Sequence, residues 1–529
     1  MTTTAPSTGT DGGTATEVRA LTSSGAVRGR RDADVCTFLG IPYAAPPTGT
    51  RRFQPPAEAT PWTGVRDAGA FGPPAPQNSG ASNKDAVLPG GSSPWSEDCL
   101  TLNVWTPDLT GKRPVLLWLH GGGFFAGSSG WTITEGTELA RQHDVTIVSV
   151  NHRLGLFGYL HLAEALGPDY QSSGNVGLLD IVAALRWVRD NIAGFGGDPG
   201  CVTLFGQSGG AAKILGLMAM PAASGLFHRA VLQSGTSLNP AMGPGQDAGE
   251  AAAAAGELLG LLGIEDHPER LLAMPAGQLV AAQAELMKGW TPGGRGGRSF
   301  RPVVDGAAMP RHPAESLSRG DSAQIPVLIG STLDETTIFL YDADQAFCAD
   351  PQGYRLAESD LRSRVAAQLA DADAAPDVIA HYRSTHPGAS NLAIYTAITS
   401  DFFRLGVVQH AEWKIDGAGA PVYAYLFQWR SPLFGGALGA AHCFELPFIF
   451  GTMDRAKATT FGPERTELAA AMSGAWAQFA RTGQPGIALT GPWPSYGKER
   501  RATMIFDVET GVTDDPFAAD REFWVRRGW

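Results

Sequence analysis

A chain of 529 residues with 43% hydrophobic and 17% charged residues can build a sizeable core and carries too little charge for a largely disordered protein. Its formal net charge of −12, without any long basic run, disfavours nucleic acid and anionic membrane surfaces as partners. The length allows two to four domains, or one large α/β domain with insertions.

Residues 1 to about 17 (MTTTAPSTGTDGGTATE) are Thr/Gly-rich and hold almost no large apolar side chain, so they are expected to be a disordered, non-targeting tail. No window approaches the roughly 18 consecutive apolar residues of a membrane span, and the Ala/Leu-rich stretch 251–264, broken by Gly and Glu, is expected to be a soluble helix. Continuous apolar runs at 114–119 (PVLLWL) and 145–150 (VTIVSV) read as strands buried in a parallel sheet. Residues 178–192 (LLDIVAALRWVRDNI) place apolar side chains at helical spacing, and 202–205 (VTLF), 230–232, 325–329 (IPVLI) and 422–427 (VYAYLF) read as further strands. A helix over 466–480 follows. This alternation predicts an α/β fold, a sheet with helices on both faces, in which the Gly/Pro/Ser-rich stretches 79–96 and 291–299 are long loops. Five cysteines, at 36, 99, 201, 348 and 443, are odd in number and scattered without a C-x-x-C; neither a zinc site nor a disulfide framework is expected, and a reducing cytoplasm fits best.

Two motifs carry chemistry. Gly206-Gln207-Ser208-Gly209-Gly210 is a G-x-S-x-G turn between an apolar strand and a helix start, which pushes a serine hydroxyl out of the backbone. His120-Gly121-Gly122-Gly123-Phe124 is an H-G-G-G loop whose bare amides can bind an oxyanion. In a chain with 67 glycines either motif alone is weak. Together, in this order and each at the end of a strand, they are what acyl transfer needs.

A serine hydroxyl needs a histidine to take its proton and a carboxylate to orient that histidine, in the chain order Ser, acid, His for this fold class. Of 11 histidines, His442 alone follows a long Gly/Ala-rich loop (435–441) after the strand at 422–427, a placement that lets a base hang over the sheet's edge. Asp334 and Glu335 both follow the strand at 325–329, at its carboxyl end; spacing does not choose between them.

With these motifs the chain resembles the type-B carboxylesterase/cholinesterase family over nearly its whole length. The resemblance also rests on Gly40-Ile41-Pro42-Tyr43-Ala44 with Arg52-Phe53, Ser96-Glu97-Asp98-Cys99-Leu100-Thr101-Leu102-Asn103-Val104, Gly174 to Asp180, Phe195-Gly196-Gly197-Asp198-Pro199 and His442-Cys443-Phe444-Glu445-Leu446-Pro447-Phe448. It implies one α/β-hydrolase domain over 18–529, with large loop and helical insertions. It further implies Ser208 as nucleophile, Glu335 as acid, His442 as base, oxyanion donors at the amides of Gly122, Gly123 and Gly209, and the ion pairs Arg52–Glu97 and Arg153–Asp180.

Departures from the family pattern narrow the expectation. Gln207 stands where a glutamate is usual, and Pro89 where cholinesterases hold a cation-binding tryptophan; both speak against choline esters. Ala75 replaces the cysteine that many members pair with the equivalent of Cys99, so that disulfide cannot form. Ala241 aligns loosely with the acyl-pocket tryptophan of cholinesterases, suggesting a roomier acyl site. The expected protein is a carboxylic-ester hydrolase acting on neutral small-molecule esters, without metal or organic cofactor, as a monomer or weak homo-oligomer. An amidase or carbamate hydrolase would share the attack chemistry, and a non-catalytic binding protein of the same fold is disfavoured by the intact motifs.

Overall fold

The computed structural model describes residues 16–78, 82–90, 94–238, 243–288, 298–486 and 491–528. Strands β1 (Thr16–Thr22), β2 (Gly25–Asp32) and β3 (Val35–Pro42) form an antiparallel meander, with β4 (Val65–Asp67) parallel to β2. β1 starts two residues inside the expected tail: Thr16 and Glu17 already pair with Arg31 and Arg30. β5 (Thr101–Thr106) joins antiparallel to both β3 and β7 (Thr146–Val150). From β7 the sheet is parallel through β6 (Arg113–Leu119), β8 (Gly197–Gln207) and β9 (Arg229–Gln233). A separate parallel ribbon pairs β10 (Gln246–Asp247) with β11 (Val303–Val304). The main sheet continues with β12 (Val327–Thr332), β13 (Val422–Phe427) and β14 (Ala502–Phe506), all parallel, and closes on antiparallel β15 (Gly511–Asp514). Its order is β1-β2-β3-β5-β7-β6-β8-β9-β12-β13-β14-β15.

The central strands read as unbroken apolar runs because both faces are covered. Within β6, Val115, Leu117 and Leu119 pack into one core with helices Val176–Asn191 and Gly209–Met218, while Leu116 and Trp118 enter the opposite core with helix Arg465–Thr482. A third cluster, around Leu361, Tyr382, Ile398, Phe402 and Trp524, ties helices Glu358–Leu369, Ala375–Thr385 and Asn391–Asp416 together outside the sheet. The Ala-rich stretch is helix Ala248–Leu262, capped by the Asp247 carboxylate accepting from the amides of Gly249 and Glu250. Among the described residues no helix is long and apolar enough to cross a membrane.

Two buried ionisable groups fix distant segments. The guanidinium of Arg153 donates from Nε to Asp180 Oδ2 at 2.8 Å and from Nη2 to Oδ1 at 2.6 Å, and Nη1 reaches the carbonyl of Gln54. Asp180 has no solvent exposure, so its charge is tolerated only while that fork is in place. The half-buried counterpart joins Arg52 to Glu97 at 2.5 and 2.7 Å. Glu445, by contrast, makes no ion pair among the described residues. It is fully buried and accepts from Gln233 Nε2 at 3.2 Å, and Gln233 Oε1 in turn accepts from Trp476 Nε1. Burial first, and then the negative charge of Glu335, push the Glu445 carboxyl up to about 7.

Arg153→Ala is expected to destabilise the protein by on the order of 3–5 kcal/mol, since it leaves a buried carboxylate unpaired; urea denaturation measures it, and a loss below about 1 kcal/mol would show that the pair does not hold the two segments. For Glu445 the native pKa lies above the unfolded value. Native protein therefore binds more protons than unfolded chain between about pH 4.5 and 7, and stability falls as pH rises through that window. Glu445→Gln removes this loss. Relative to the parent it should gain up to about 3 kcal/mol between pH 4.5 and 8, and a parent–variant difference that stayed constant over that range would contradict the argument.

Candidate active site

Ser208 occupies the single residue between β8 and helix Gly209–Met218, with φ 56° and ψ −125°. Such backbone costs about 1–3 kcal/mol in a non-glycine residue and persists only where surroundings enforce it. Here they do: the Ser208 amide donates to Gln233 O at 2.7 Å, and Ser208 O accepts from Ala212 N at 3.0 Å. The flanking glycines are required by contact. A Cβ on Gly206 would sit 2.7 Å from the carbonyl carbon of Gly210, and one on Gly210 would collide with the Leu119 carbonyl.

The H-G-G-G loop leaves the end of β6 beside this turn, with Gly122 and Gly123 at φ 92° and 60°. Its carbonyls all face partners. Gly121 O lies 2.9 Å from His120 Nδ1, Gly122 O accepts from Ala126 N at 3.0 Å, and His120 O and Gly123 O accept from Lys213 Nζ at 3.2 and 2.9 Å. The amides of Gly122, Gly123 and Gly209 donate to no protein acceptor among the described residues, and all three residues border the cavity that contains Ser208.

Of the two carboxylates that spacing left open, Glu335 is the one in contact with the His442 imidazole. It is fully buried, accepts from Thr332 N at 2.8 Å, and its Oε2 bonds His442 Nδ1. Asp334 instead braces the loop that carries the histidine: its amide donates to Ala440 O and its Oδ2 accepts from Ala440 N, both at 2.9 Å. The His442 ring lies between Phe339 and Phe403, with centroids 5.0 and 5.5 Å away. Its Nε2 is 2.9 Å from Gln207 Nε2, and the Cys443 thiol donates to Gln207 Oε1 at 3.1 Å. That thiol orients the amide, so its NH2 group faces the imidazole and Nε2 is the acceptor.

Ser208, His442, Gln207 and Cys443 line a cavity of about 590 Å³ with mostly apolar walls, among them Trp95, Phe125, Trp131, Phe339 and Phe403, and with Lys84, Asp85, Arg301 and Asp342 among its polar members. Asp342 is already held by Lys84 Nζ at 3.3 Å and Ser82 Oγ at 2.6 Å. Leu88 and Gly90, on either side of Pro89, line the same wall. Ala241 and Trp290 lie outside the described residues. Ala75 and Cys99 are both buried, and all five cysteines are free thiols.

The two aromatic residues flanking His442, the Gln207–His442 contact and Lys213 were not singled out from sequence. Lys213 left a readable trace, a lone cation in the apolar run Ala211-Ala212-Lys213-Ile214-Leu215; Phe339 and Phe403 left none, since aromatic residues in helices ordinarily pack in cores.

Comparison with known proteins places the whole chain. The profile of the Carboxylesterase family matches residues 16–524. The chain is 35% identical over 509 residues to para-nitrobenzyl esterase of Bacillus subtilis (strain 168), covering 95% of this chain and 97% of the relative. It is 36% identical to phenmedipham hydrolase of Pseudarthrobacter oxydans, covering 93% and 95% of the two chains. The crystal structure of a Geobacillus stearothermophilus carboxylesterase superposes with a TM-score of 0.81 at 38% identity, covering 96% of this chain and 99% of that one. With its α/β-hydrolase sheet and esterase relatives at this level of identity, the chain belongs to the carboxylesterase family and is a carboxylic-ester hydrolase.

Proposed function

We propose that the protein cleaves neutral small-molecule carboxylic esters through an acyl-enzyme on Ser208, with His442 as general base, Glu335 as its orienting carboxylate, and the amides of Gly122, Gly123 and Gly209 as oxyanion donors. The observation that carries this reading is the trio of amides, without protein acceptors among the described residues, that share one cavity with Ser208 and with the His442 that bonds Glu335. Glu335 fixes the proton on Nδ1 and leaves Nε2 with a free lone pair. Gln207 donates to that lone pair in the resting enzyme, so amide and imidazole part before Ser208 Oγ transfers its proton. Oγ then attacks the ester carbonyl, whose π electrons move onto the oxygen facing the three amides. Collapse expels the alcohol with the proton from His442, and water repeats the sequence to release the acid. The oxyanion donors act in a cavity with mostly apolar walls, where fixed dipoles stabilise developing charge strongly.

The cavity suits a neutral substrate. Gln207 is uncharged, and Asp342 in the cavity wall is paired with Lys84. An amide or carbamate bond would meet the same nucleophile, and the similarity to a relative named for phenmedipham hydrolysis makes that second reading worth a direct arm in the test. We also read residues 18–529 as one domain, on the strength of a sheet that runs unbroken from β1 to β15, and the protein as a monomer or weak homo-oligomer of the cytoplasm, consistent with five unpaired thiols.

Ser208→Ala is expected to keep the fold by circular dichroism and to lose at least about 10⁴-fold in kcat for 4-nitrophenyl esters; turnover within a hundredfold of the parent would reject Ser208 as nucleophile. In a series of 4-nitrophenyl esters of increasing acyl length, run beside one anilide and one carbamate, the esters should give the highest kcat/KM. A carbamate or anilide that outran every ester would transfer the assignment to that bond.

Substrate charge gives an independent check. A quaternary ammonium gains up to about 2 kcal/mol from a desolvated aromatic face, and more from a nearby anion. With the neutral Gln207 beside Ser208, butyrylcholine should be hydrolysed no faster, in kcat/KM, than its uncharged carbon isostere 3,3-dimethylbutyl butyrate. A tenfold preference for the cation would mean that a cation site exists beside Ser208, and would overturn this reading.

A further inference from the structure

Lys213 is a fully buried cation beside the site that the mechanism above leaves unused, and its position is costly. Its side chain has no solvent exposure, no carboxylate pairs with it among the described residues, and the face of Phe124 lies 5.8 Å from its Nζ. An ammonium in such surroundings is tolerated only if something binds its protons. What binds them is the oxyanion loop: Nζ donates to His120 O at 3.2 Å and to Gly123 O at 2.9 Å, the two carbonyls that bracket Gly121 and Gly122.

We propose that Lys213 is a positioning residue for ester cleavage, which clamps the His120–Gly123 loop onto helix Gly209–Met218 and so keeps the amides of Gly122 and Gly123 aimed at the carbonyl oxygen of the substrate. The inference rests on the assignment of those amides as oxyanion donors. Its physical basis is the loop's composition. Three consecutive glycines have no side chains to anchor them and two of them adopt positive φ, so the loop's direction is set by what its carbonyls bond. The inner carbonyls, of Gly121 and Gly122, are bonded within the loop itself, to His120 Nδ1 and Ala126 N. The outer two are bonded across to helix Gly209–Met218, which also presents the Gly209 amide, and Lys213 makes both of those bonds. One side chain therefore registers two oxyanion donors against the third.

The clamp does not depend on the lysine's charge. Burial pulls its amine down to about 7, yet an amine and an ammonium both have protons enough for two acceptors. The other titratable groups facing Nζ are His120 and His152, stacked 4.8 Å apart; burial, and then the Lys213 charge, hold both neutral, His120 at about 3. Neither changes charge over the working range of an esterase, so Lys213 acts on an electrostatically quiet loop.

The test compares Lys213→Met with the parent, counting competent sites by the stoichiometry of labelling with a fluorophosphonate. Per labelled site, kcat for a 4-nitrophenyl ester should fall roughly 30-fold or more with KM within about threefold, because mis-aimed donors weaken the transition state and not ground-state binding. The inhibition constant of a trifluoromethyl ketone should rise by a similar factor. In that adduct Ser208 Oγ bonds the ketone carbon, the proton passes to His442 and the carbonyl electron pair becomes an oxyanion in the same hole. If kcat per labelled site and the ketone constant both stay within threefold of the parent, Lys213 only supports folding and the proposal fails. Should Lys213→Met give no soluble protein, Lys213→Gln is measured in the same way, against the same thresholds. Failure of the parent itself to be labelled at Ser208 would instead reject the nucleophile assignment on which the clamp depends.

Discussion

Parallel strands that end level with one another put their following loops side by side, and every chemical group of the site depends on that edge. In the register of the sheet Leu119 pairs with Gly206, Gln207 with Gln233, Gln233 with Gly330, and Thr332 with Phe427. The residues just past these pairs begin the H-G-G-G loop, the bend at Ser208, the Asp334-Glu335 pair and the loop that returns to His442. Residues more than three hundred apart in sequence thus meet without long side chains. The bonds that complete the site are short-range additions to this backbone alignment: Ser208 N to Gln233 O, Thr332 N to Glu335, and Ala440 to Asp334 in both directions.

The same dry edge dictates how charge is arranged around it. Ions removed from water must be paired or become neutral. Arg153 and Asp180 take the first course, while Glu445 and His120 take the second, each driven by burial before any neighbour acts. Glu335 accepts from both His442 Nδ1 and the Thr332 amide. One carboxylate, Glu335, contacts the imidazole, while its neighbour Glu445 is pushed toward the neutral acid. Two ionised carboxylates so close together would compete for the same imidazole proton, and the buried acid nearer neutrality removes that competition.

Much of this was legible in the chain because the informative segments are buried on both faces. Residues 114–119, 145–150 and 422–427 read as strands, and 422–427 matches β13 at both ends, since a strand covered on both sides has no polar position to blur its limits. β1, β2 and β4 escaped notice for the opposite reason: Thr16–Thr22 and Gly25–Asp32 alternate buried residues with exposed arginines, and Val65–Asp67 is exposed throughout. The helices from Glu358 to Asp416 build a core with each other and not with the sheet, so no strand–helix alternation announces them. At the site, residue type and order pointed to Ser208, His442 and the glycines. Asp334 and Glu335 differ by one residue of phase past β12, which periodicity does not resolve; Glu335 bonds the imidazole and Asp334 the Ala440 backbone.

The replacement of a family cysteine by Ala75 shows how the segment before the cavity keeps its place without a covalent link. Ala75 and Cys99 remain buried, so the packing at that point survives the loss of the bond. The restraint is supplied instead by Gln77, whose Nε2 donates to Gly127 O at 2.9 Å and whose Oε1 accepts from Gly127 N at 2.8 Å, in the manner of a strand pair made by a side chain. Asn151 Nδ2 donates to Pro73 O at 3.1 Å and Ser96 N to Pro74 O at 3.0 Å, so the segment is held from three separate parts of the chain. Gly127 follows Ala126, whose amide fixes Gly122 O, and a Cβ at Gly127 would collide with His120 Nδ1. The Gln77 bonds thus reach the outer side of the same loop that Lys213 holds from the inner side. A disulfide between residues 75 and 99 would restrain the unfolded chain over a short loop and leave the H-G-G-G turn untouched, whereas hydrogen bonds to Gly127 restrain the turn itself. In a reducing compartment the second arrangement is the one that stays in place.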